Sequence, residues 1–314
     1  MIMNMIDLSK RPVVSAIGHV AIRVKDLGAA VEHATTIMGL RVSDRTADRV
    51  DLTEGLSHHS LTYIKSDVEA IDHMGFEAAG PWAVEEIRRR VKDAGLPVLS
   101  DRPFDECLSD GFVFEAPGGW AIEIYSDMPH DQPLDWVPSG VRPRRFGHLN
   151  IAATDPDAVI KVMCDILDFR VSDHFRGGAF IRCNPEHHGL GVVKGPGKLH
   201  HHAWEIENMT DLAHLGDLLD DLRVFMLAGP VRHGMGNNIA SYFEGPGQMA
   251  VEYYCDMVKI WNDETYEPGV WSEDAGDLRW FTRWTQQVPS PDMRIRQLGL
   301  PPAERDGASL AAID

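Results

Sequence analysis

The chain has 314 residues, a length that corresponds to about two domains of ordinary size. Apolar residues make up 44% and charged residues 25% of the sequence, which is typical of soluble globular proteins and unlike disordered or collagen-like chains. The formal net charge of −18 argues against nucleic-acid binding, because an acidic surface repels phosphate groups.

Cysteine usage and hydropathy exclude further classes. The four cysteines are scattered and form no CxxC pair, which argues against a disulfide scaffold or a zinc ribbon. The opening residues MIMNMIDLSKRP lack the apolar core of a signal peptide. No apolar run approaches the roughly 18 residues of a membrane span. We therefore expect a cytoplasmic protein without a membrane partner.

The sequence repeats itself at an offset of 129 residues. Three pairs of segments share this offset: GHVAIRVKD from 18 and GHLNIAATD from 147, GLRVSD from 39 and DFRVSD from 168, and HHSLTYIK from 58 and HHGLGVVK from 187. The offset slips to 128 where His73 aligns with His201, and returns to 129 where Glu123 aligns with Glu252. Five landmarks in one order predict two homologous domains.

Within each copy the local patterns also recur. A β-rich run (HVAIRV, HLNIAA) precedes a stretch with helical spacing, and Asp155-Pro156 suits the start of the second copy's helix. Further strands, a second helix (PWAVEEIRRRVKDAGL, MTDLAHLGDLLDDL) and two closing strands around a Gly-Pro turn follow. The pattern predicts an α+β fold of two domains, each a barrel-like curved sheet of paired βαβββ units.

We place the boundaries of these regions from the same landmarks. Residues 1–15 are a lead-in, 16–140 the first domain, and 141–256 the second. Residues 257–314 form a tryptophan-rich tail, which we expect to pack over the second domain. Its end, from Pro302, has the composition of a disordered segment.

Three residues of the second copy suggest a metal site. His148 and His201 each open a strand, and Glu252 lies on a third strand. A single strand histidine is more often a hydrogen-bonded core residue. Two histidines and one carboxylate from separate strands, however, match the facial triad of non-haem Fe(II) sites, which leaves positions free for substrate and O2.

The segment GPVRHGMGNNIASYFEGPGQMAVEYY (229–254) resembles the signature of the type I extradiol ring-cleavage dioxygenases of the vicinal oxygen chelate superfamily. His233, Tyr242, Pro246 and Glu252 stand at the family's spacing. Three positions depart from the family's pattern: Ser241, just before the tyrosine, and Gly245 and Gln248, between the tyrosine and the glutamate. These departures concern the shape of the turn between the tyrosine and the ligand strand.

Two further segments extend the resemblance to about residues 15–290. The run CNPEHHGLGVV is similar to the family segment that carries an acid–base histidine, which implies His188. The run KLHHHAW resembles the family's ligand strand, and there the resemblance implies His201 rather than either neighbouring histidine.

The resemblance implies a function and a role for each residue. The protein would cleave a catechol in the extradiol (meta) position with O2, giving a 2-hydroxymuconic-semialdehyde-type product in aromatic-compound degradation. Fe(II) or Mn(II) would bind His148, His201 and Glu252. Tyr242 would hydrogen-bond the substrate oxygen, His188 would act as acid and base, and His233 would orient the substrate. The family's habit implies a homo-oligomer.

Two other functions are compatible with the same residues. One is a non-redox metalloenzyme of the same superfamily, such as an isomerase or glyoxalase-like lyase. The other is a metal-free protein that binds a small molecule in the same cup.

The first copy raises a separate question. It retains the three triad positions and the acid–base position, as His19, His73, Glu123 and His59. Val113 stands at the position of Tyr242, and Phe104 at that of His233. The retained residues are either inward polar groups left from duplication or a second metal site without catalysis.

Overall fold

A computed structural model describes residues 12–130, 140–175, 177–271, 282–284 and 299–305. In this part of the chain, two open curved sheets, one of eight and one of nine strands, combine with four α-helices. The prediction of an α+β fold with two repeated, curved sheets is confirmed.

The first sheet contains two βαβββ units joined side by side. Its strands run in the order β2-β3-β4-β1-β5-β8-β7-β6. The central pair β1 and β5 is antiparallel, whereas β1 with β4 and β5 with β8 are parallel. The elements are β1 (Val14–Val24), α1 (Leu27–Thr36), β2 (Arg41–Arg45), β3 (Arg49–Thr53), β4 (Leu61–Lys65), β5 (Ala70–Ala78), α2 (Pro81–Asp93), β6 (Val98–Ser100), β7 (Asp110–Ala116) and β8 (Trp120–Ser126).

The second sheet repeats this arrangement and gains one strand from the tail. Its order is β14-β15-β16-β13-β9-β12-β11-β10-β17. The elements are β9 (Arg145–Ala153), α3 (Pro156–Leu167), β10 (Arg170–Phe175), β11 (Gly178–Arg182), β12 (Leu190–Lys194), β13 (Lys198–Glu205), α4 (Met209–Leu222), β14 (Met226–Arg232), β15 (Ile239–Gly245), β16 (Met249–Cys255) and β17 (Gly269–Trp271).

Local sequence explains where the helices begin. The Asp155 side chain accepts a hydrogen bond from Ala158 N, and Pro156 occupies the first helical turn, as predicted. Asn208 and Asp211 form a capping box at the start of α4. Within the described residues, no helix has the length and apolar character needed to cross a bilayer.

The repeated Gly-His pair is explained by close packing. A Cβ atom at Gly18 would lie 1.7 Å from Tyr125 Oη, and one at Gly147 would lie 2.2 Å from Tyr254 Oη. Any larger residue would collide with the tyrosine that stands two residues after the glutamate on the same strand. Glycine therefore leaves room for this tyrosine ring beside the strand that carries the histidine.

The strand register brings the repeated polar residues into line. In the second sheet His148 faces Ala203, and Ala203 faces Glu252, while His201 lies two residues earlier on β13. In the first sheet the same places belong to His19, Gly75, Glu123 and His73. The one-residue slip in the sequence alignment is thus confirmed in space.

Hydrogen bonds and an ion pair connect the two halves. The Tyr253 hydroxyl donates to Met38 O at 2.8 Å, and His33 Nε2 donates to Glu244 O at 2.9 Å. An ion pair joins Arg90 Nη1 to Asp168 Oδ1 at 2.6 Å. One continuous apolar core includes residues of both sheets.

The tail differs from its prediction in two respects. The segment 299–305 is ordered rather than disordered from Pro302, because Leu300 pairs with Leu199 and Ala303 N donates to Ile71 O. Trp261 is 78% exposed and does not pack over the second domain, whereas Trp271 lies on β17 at the edge of the second sheet and the Trp284 ring lies under Arg232, as predicted. Trp280 and residues 306–314 lie outside the described residues.

Candidate metal centre and active site

Three side chains of the second sheet converge on one buried point. His148 Nε2 lies 3.2 Å and His201 Nε2 lies 3.1 Å from the same atom, Glu252 Oε2. Each residue is at most 5% exposed. The strands therefore deliver two imidazoles and one carboxylate with their ligand atoms side by side.

Neighbouring groups hold the outward atoms of these side chains. Asn238 Nδ2 donates to Glu252 Oε1 at 3.1 Å, which leaves Oε2 for the centre. His201 Nδ1 lies 2.7 Å from His200 Nδ1. His202 faces elsewhere, since its Nδ1 accepts from Trp204 Nε1 at 2.6 Å. Of the three consecutive histidines, His201 is the one that reaches Glu252.

The bare arrangement fits a divalent cation. His201 Nε2 is buried and has no hydrogen bond of normal geometry among the described residues. Burial lowers the pKa of His201, so its imidazole is neutral and can act as a ligand. Burial opposes ionisation of Glu252, but His148 and His201 outweigh it and hold its pKa well below the usual range. Two imidazole nitrogens and one carboxylate suit Fe(II) or Mn(II).

Tyr242 lies beside this centre. Its ring centroid is 5.5 Å from that of His201, and its hydroxyl is 2.8 Å from His233 Nε2. Burial and the nearby Glu252 raise the pKa of Tyr242 well above 10, so the hydroxyl keeps its proton. The structure thus brings Tyr242 and His233 together next to the three converging side chains.

His188 lies on the other side of the centre, just before β12 in the first βαβββ unit of the second sheet. Its ring centroid lies 4.4 Å from that of His148, and the ring stacks on Phe180 at 4.3 Å. Burial, together with His148 and His187, lowers the pKa of His188 well below 6.5, which favours the neutral imidazole.

A hydrogen-bond chain fixes the proton positions of this histidine pair. His187 Nε2 donates to Asp173 Oδ2 at 3.0 Å, and in the tautomer with its proton on Nε2 the ring has an acceptor at Nδ1. That acceptor lies 3.0 Å from His188 Nδ1, which must then donate. The chain leaves Nε2 of His188 as a proton acceptor.

The sequence profile of the Glyoxalase/Bleomycin resistance protein/Dioxygenase superfamily matches residues 16–124 and 145–253, well over half of the chain. The protein belongs to this superfamily. Each of the two matched segments coincides with one of the two repeated sheets.

Individual members of the superfamily resemble the chain over most of its length. The manganese-dependent 2,3-dihydroxybiphenyl 1,2-dioxygenase of Geobacillus genomosp. 3 is 27% identical over 83% of this chain and 90% of its own. A metapyrocatechase of Geobacillus stearothermophilus is 26% identical over 82% and 86%, respectively. The crystal structure of a Mn(II)-bound glyoxalase from Novosphingobium aromaticivorans superimposes with a TM-score of 0.83 at 25% identity, covering 95% of this chain and 99% of that one.

Sequence reasoning missed Asn238 and Asp173 as members of the site. Asn238 lies in the turn before β15, and the same offset in the first copy holds Ser109, so the repeat offers no signal for it. Asp173 could have been found, since it ends the RVSD segment that both copies share and matches Asp44.

Proposed function

We propose that this chain is an extradiol dioxygenase that cleaves a catechol with O2, using Fe(II) or Mn(II) bound by His148, His201 and Glu252. The observation that carries the proposal is the open three-ligand arrangement with Tyr242 and His188 beside it. The proposed partners are a small aromatic diol and O2, and we infer a homo-oligomer from the family's habit.

The protein's own residues suit the substrate's chemistry. The bound ion would supply Lewis acidity towards the diol and redox chemistry towards O2. When His233 Nε2 donates to the Tyr242 oxygen, the proton of the Tyr242 hydroxyl would be free to form a hydrogen bond to a substrate oxygen. This hydrogen bond would stabilise that oxygen as it ionises. His188 Nε2, an acceptor by its tautomer, can take a substrate proton and return it during ring opening.

A non-redox metalloenzyme of the same superfamily is the second candidate, because a shared fold does not fix the reaction. The resemblance to a Mn(II)-bound glyoxalase supports it. The combination of Tyr242, His233 and His188 supports the dioxygenase, since isomerisation needs no group that handles O2.

The test is O2 uptake by protein loaded anaerobically with Fe(II) or, separately, Mn(II). Catechol, 3- and 4-substituted catechols and 2,3-dihydroxybiphenyl serve as substrates, with visible absorbance followed in parallel. We expect one O2 consumed for each yellow ring-opened product formed. Metal-loaded protein that consumes no O2 with any diol would favour the non-redox candidate.

Glu252→Ala provides the matching variant. Removal of the carboxylate should abolish metal binding at this centre and ring cleavage together, because only two ligands would be left. Full activity of Glu252→Ala would place the active site elsewhere.

A further inference from the structure

The first sheet contains a second cluster of potential ligands, outside the proposed active site. His19 and Glu123 flank Gly75 in the same register that places His148 and Glu252 around Ala203. The repeat therefore builds the same strand geometry twice.

A fourth side chain, Asp105, completes this cluster. His19 Nε2 lies 3.1 Å from Asp105 Oδ2, 3.0 Å from Glu123 Oε2 and 3.3 Å from His73 Nε2. His73 Nε2 lies 3.6 Å and 3.7 Å from the same two carboxylate oxygens. A tetrahedral zinc ion with ligand distances of 2.0–2.2 Å requires ligand atoms about 3.3–3.6 Å apart. The five distances from the two histidine nitrogens, at 3.0–3.7 Å, are thus close to the spacing of such a site.

Every outward atom of these ligands except His19 Nδ1 has its own partner. His73 Nδ1 donates to Asp72 Oδ2 at 2.8 Å, the carboxylate–histidine contact that commonly supports a metal ligand. The Asp105 backbone N–H donates to Glu123 Oε1 at 3.1 Å. Arg49 Nη2 lies 2.6 Å from Asp105 Oδ1.

The inward atoms, by contrast, point at one another. All four side chains are at most 1% exposed, and Glu123 Oε2 has no hydrogen bond of normal geometry among the described residues. Of the two buried carboxylates, Asp105 is paired with Arg49, so Glu123 needs a further cation, and either a metal ion or added protons would serve.

The surroundings distinguish this cluster from the proposed active site. Asp105 supplies a fourth ligand where the second sheet has three, and Val113 faces Glu123 where Tyr242 faces Glu252. His59 Nε2 also donates to Asp105 Oδ2 at 2.7 Å and so helps to hold this carboxylate in the cluster. A closed set of four ligands is typical of structural zinc, whereas catalytic sites keep one position open.

We propose that the first domain binds a structural zinc ion through His19, His73, Asp105 and Glu123, in addition to the metal of the second domain. The ion would join β1, β5, β8 and the loop that carries Asp105. It would take no part in ring cleavage.

The experiment counts this metal without any substrate. In the double variant His201→Ala/Glu252→Ala, which removes the second-domain ligands, chelator-treated protein is titrated with Zn(II) and with Co(II). We expect one equivalent of either ion. Bound Co(II) should show the intense visible absorption of four-coordinate cobalt, and wild-type protein should bind two equivalents. No binding to the double variant would overturn the proposal, as would the weak absorption of six-coordinate cobalt.

Added substitutions in that background identify the ligands. Asp105→Asn keeps the shape of the side chain but should weaken metal affinity by at least about a hundredfold, more than a supporting contact would. Cys107→Ser is the matched control, because its sulfur lies 3.9 Å from His59 Nδ1 but outside the four ligands. Unchanged affinity in Asp105→Asn, or loss of binding in Cys107→Ser, would contradict the assignment. Should Asp105→Asn fail to fold, the cobalt spectrum of the double variant still decides.

Discussion

At the position of Tyr242, the second sheet has a hydroxyl group that the first sheet lacks. Tyr242 faces Glu252 across β15 and β16, and the same position in the first sheet, opposite Glu123, is Val113. A valine cannot hydrogen-bond a substrate, so this position is one of those that separate the proposed active site from the cluster of the first sheet.

Tyr242→Phe should therefore lower the turnover of catechol by about 10- to 100-fold, since a hydrogen bond to a charged group contributes about 1.5–3 kcal/mol. The metal content should not change, because the hydroxyl is no ligand. Stopped-flow or steady-state rates, together with metal analysis of the same sample, measure both effects. Tyr63→Phe is the control: that hydroxyl is also buried but has no hydrogen-bond partner among the described residues. Equal rates for Tyr242→Phe and wild-type protein would refute the role of this residue.

Asp173 acts on the site through two histidines. It accepts from His187, and His187 in turn accepts from His188, so the carboxylate sets which nitrogen of His188 carries the proton. Asp173 is a positioning residue that lies one contact removed from the proposed acid–base group.

In Asp173→Asn the amide can donate to His187 and reverse this chain. We expect kcat to fall about tenfold or more, a part of the roughly 10²–10⁴-fold that an acid–base group provides. KM and metal content should stay within twofold of wild type, which a general structural defect would not allow. His174→Ala, at the exposed next position, should leave kcat unchanged. A rise in KM with constant kcat would show that Asp173 shapes the pocket instead.

At the scale of strands, β5 and β13 differ at the residue between histidine and glutamate. Gly75 occupies this place in β5 and Ala203 in β13. A Cβ at Gly75 would lie 1.9 Å from His19 Cε1, so the His19 ring lies closely over the strand backbone. The first cluster is packed more tightly than the second.

Gly75→Ala should displace the His19 ring and abolish cobalt binding in the His201→Ala/Glu252→Ala background. Overpacking of this kind costs about 1–3 kcal/mol, which urea unfolding measures as a loss of unfolding free energy. Gly55→Ala is the control, since a Cβ there meets no atom within 4 Å. Retained cobalt binding in Gly75→Ala would show that His19 is not held in this position.

The strands of both clusters could be predicted from the sequence, whereas the loop residues could not. Side chains alternate along a strand and both copies carry the same residues, so the sequence indicates that His148, His201 and Glu252 face one side of the sheet, and the strand register then brings them together. Asp105 reaches its cluster from a loop between β6 and β7, where neither period nor repeat constrains the backbone. The choice of His201 among three histidines came from the family resemblance, and spacing alone left it open.

At the scale of the whole molecule, the segment 299–305 ties the two sheets together. Leu300 exchanges two backbone hydrogen bonds with Leu199, two residues before His201. Pro301 and Ala303 bond the backbone of Ile71, two residues before His73. Arg305 Nη2 also lies 3.3 Å from Asp72 Oδ2, the oxygen that holds His73. One short segment thus braces a histidine strand of each sheet.

A chain ending at residue 298 should be less stable than one ending at 305. It loses four backbone hydrogen bonds and the burial of Leu300, together about 5.5–7 kcal/mol at roughly 1 kcal/mol per bond and 1.5–3 kcal/mol for the side chain. We expect a Tm lower by roughly 5–15 °C in calorimetry. Zinc affinity of the first domain should also fall, because Asp72 loses Arg305.

The 1–305 chain controls for the removal of residues 306–314 and should melt within about 2 °C of the full chain. Arg305→Ala separates the two effects: it keeps the backbone pairing but removes the ion pair, so it should lower zinc affinity with only a small change in Tm. Identical melting of the 1–298 and 1–305 chains would show that the sheets hold their histidine strands without this brace.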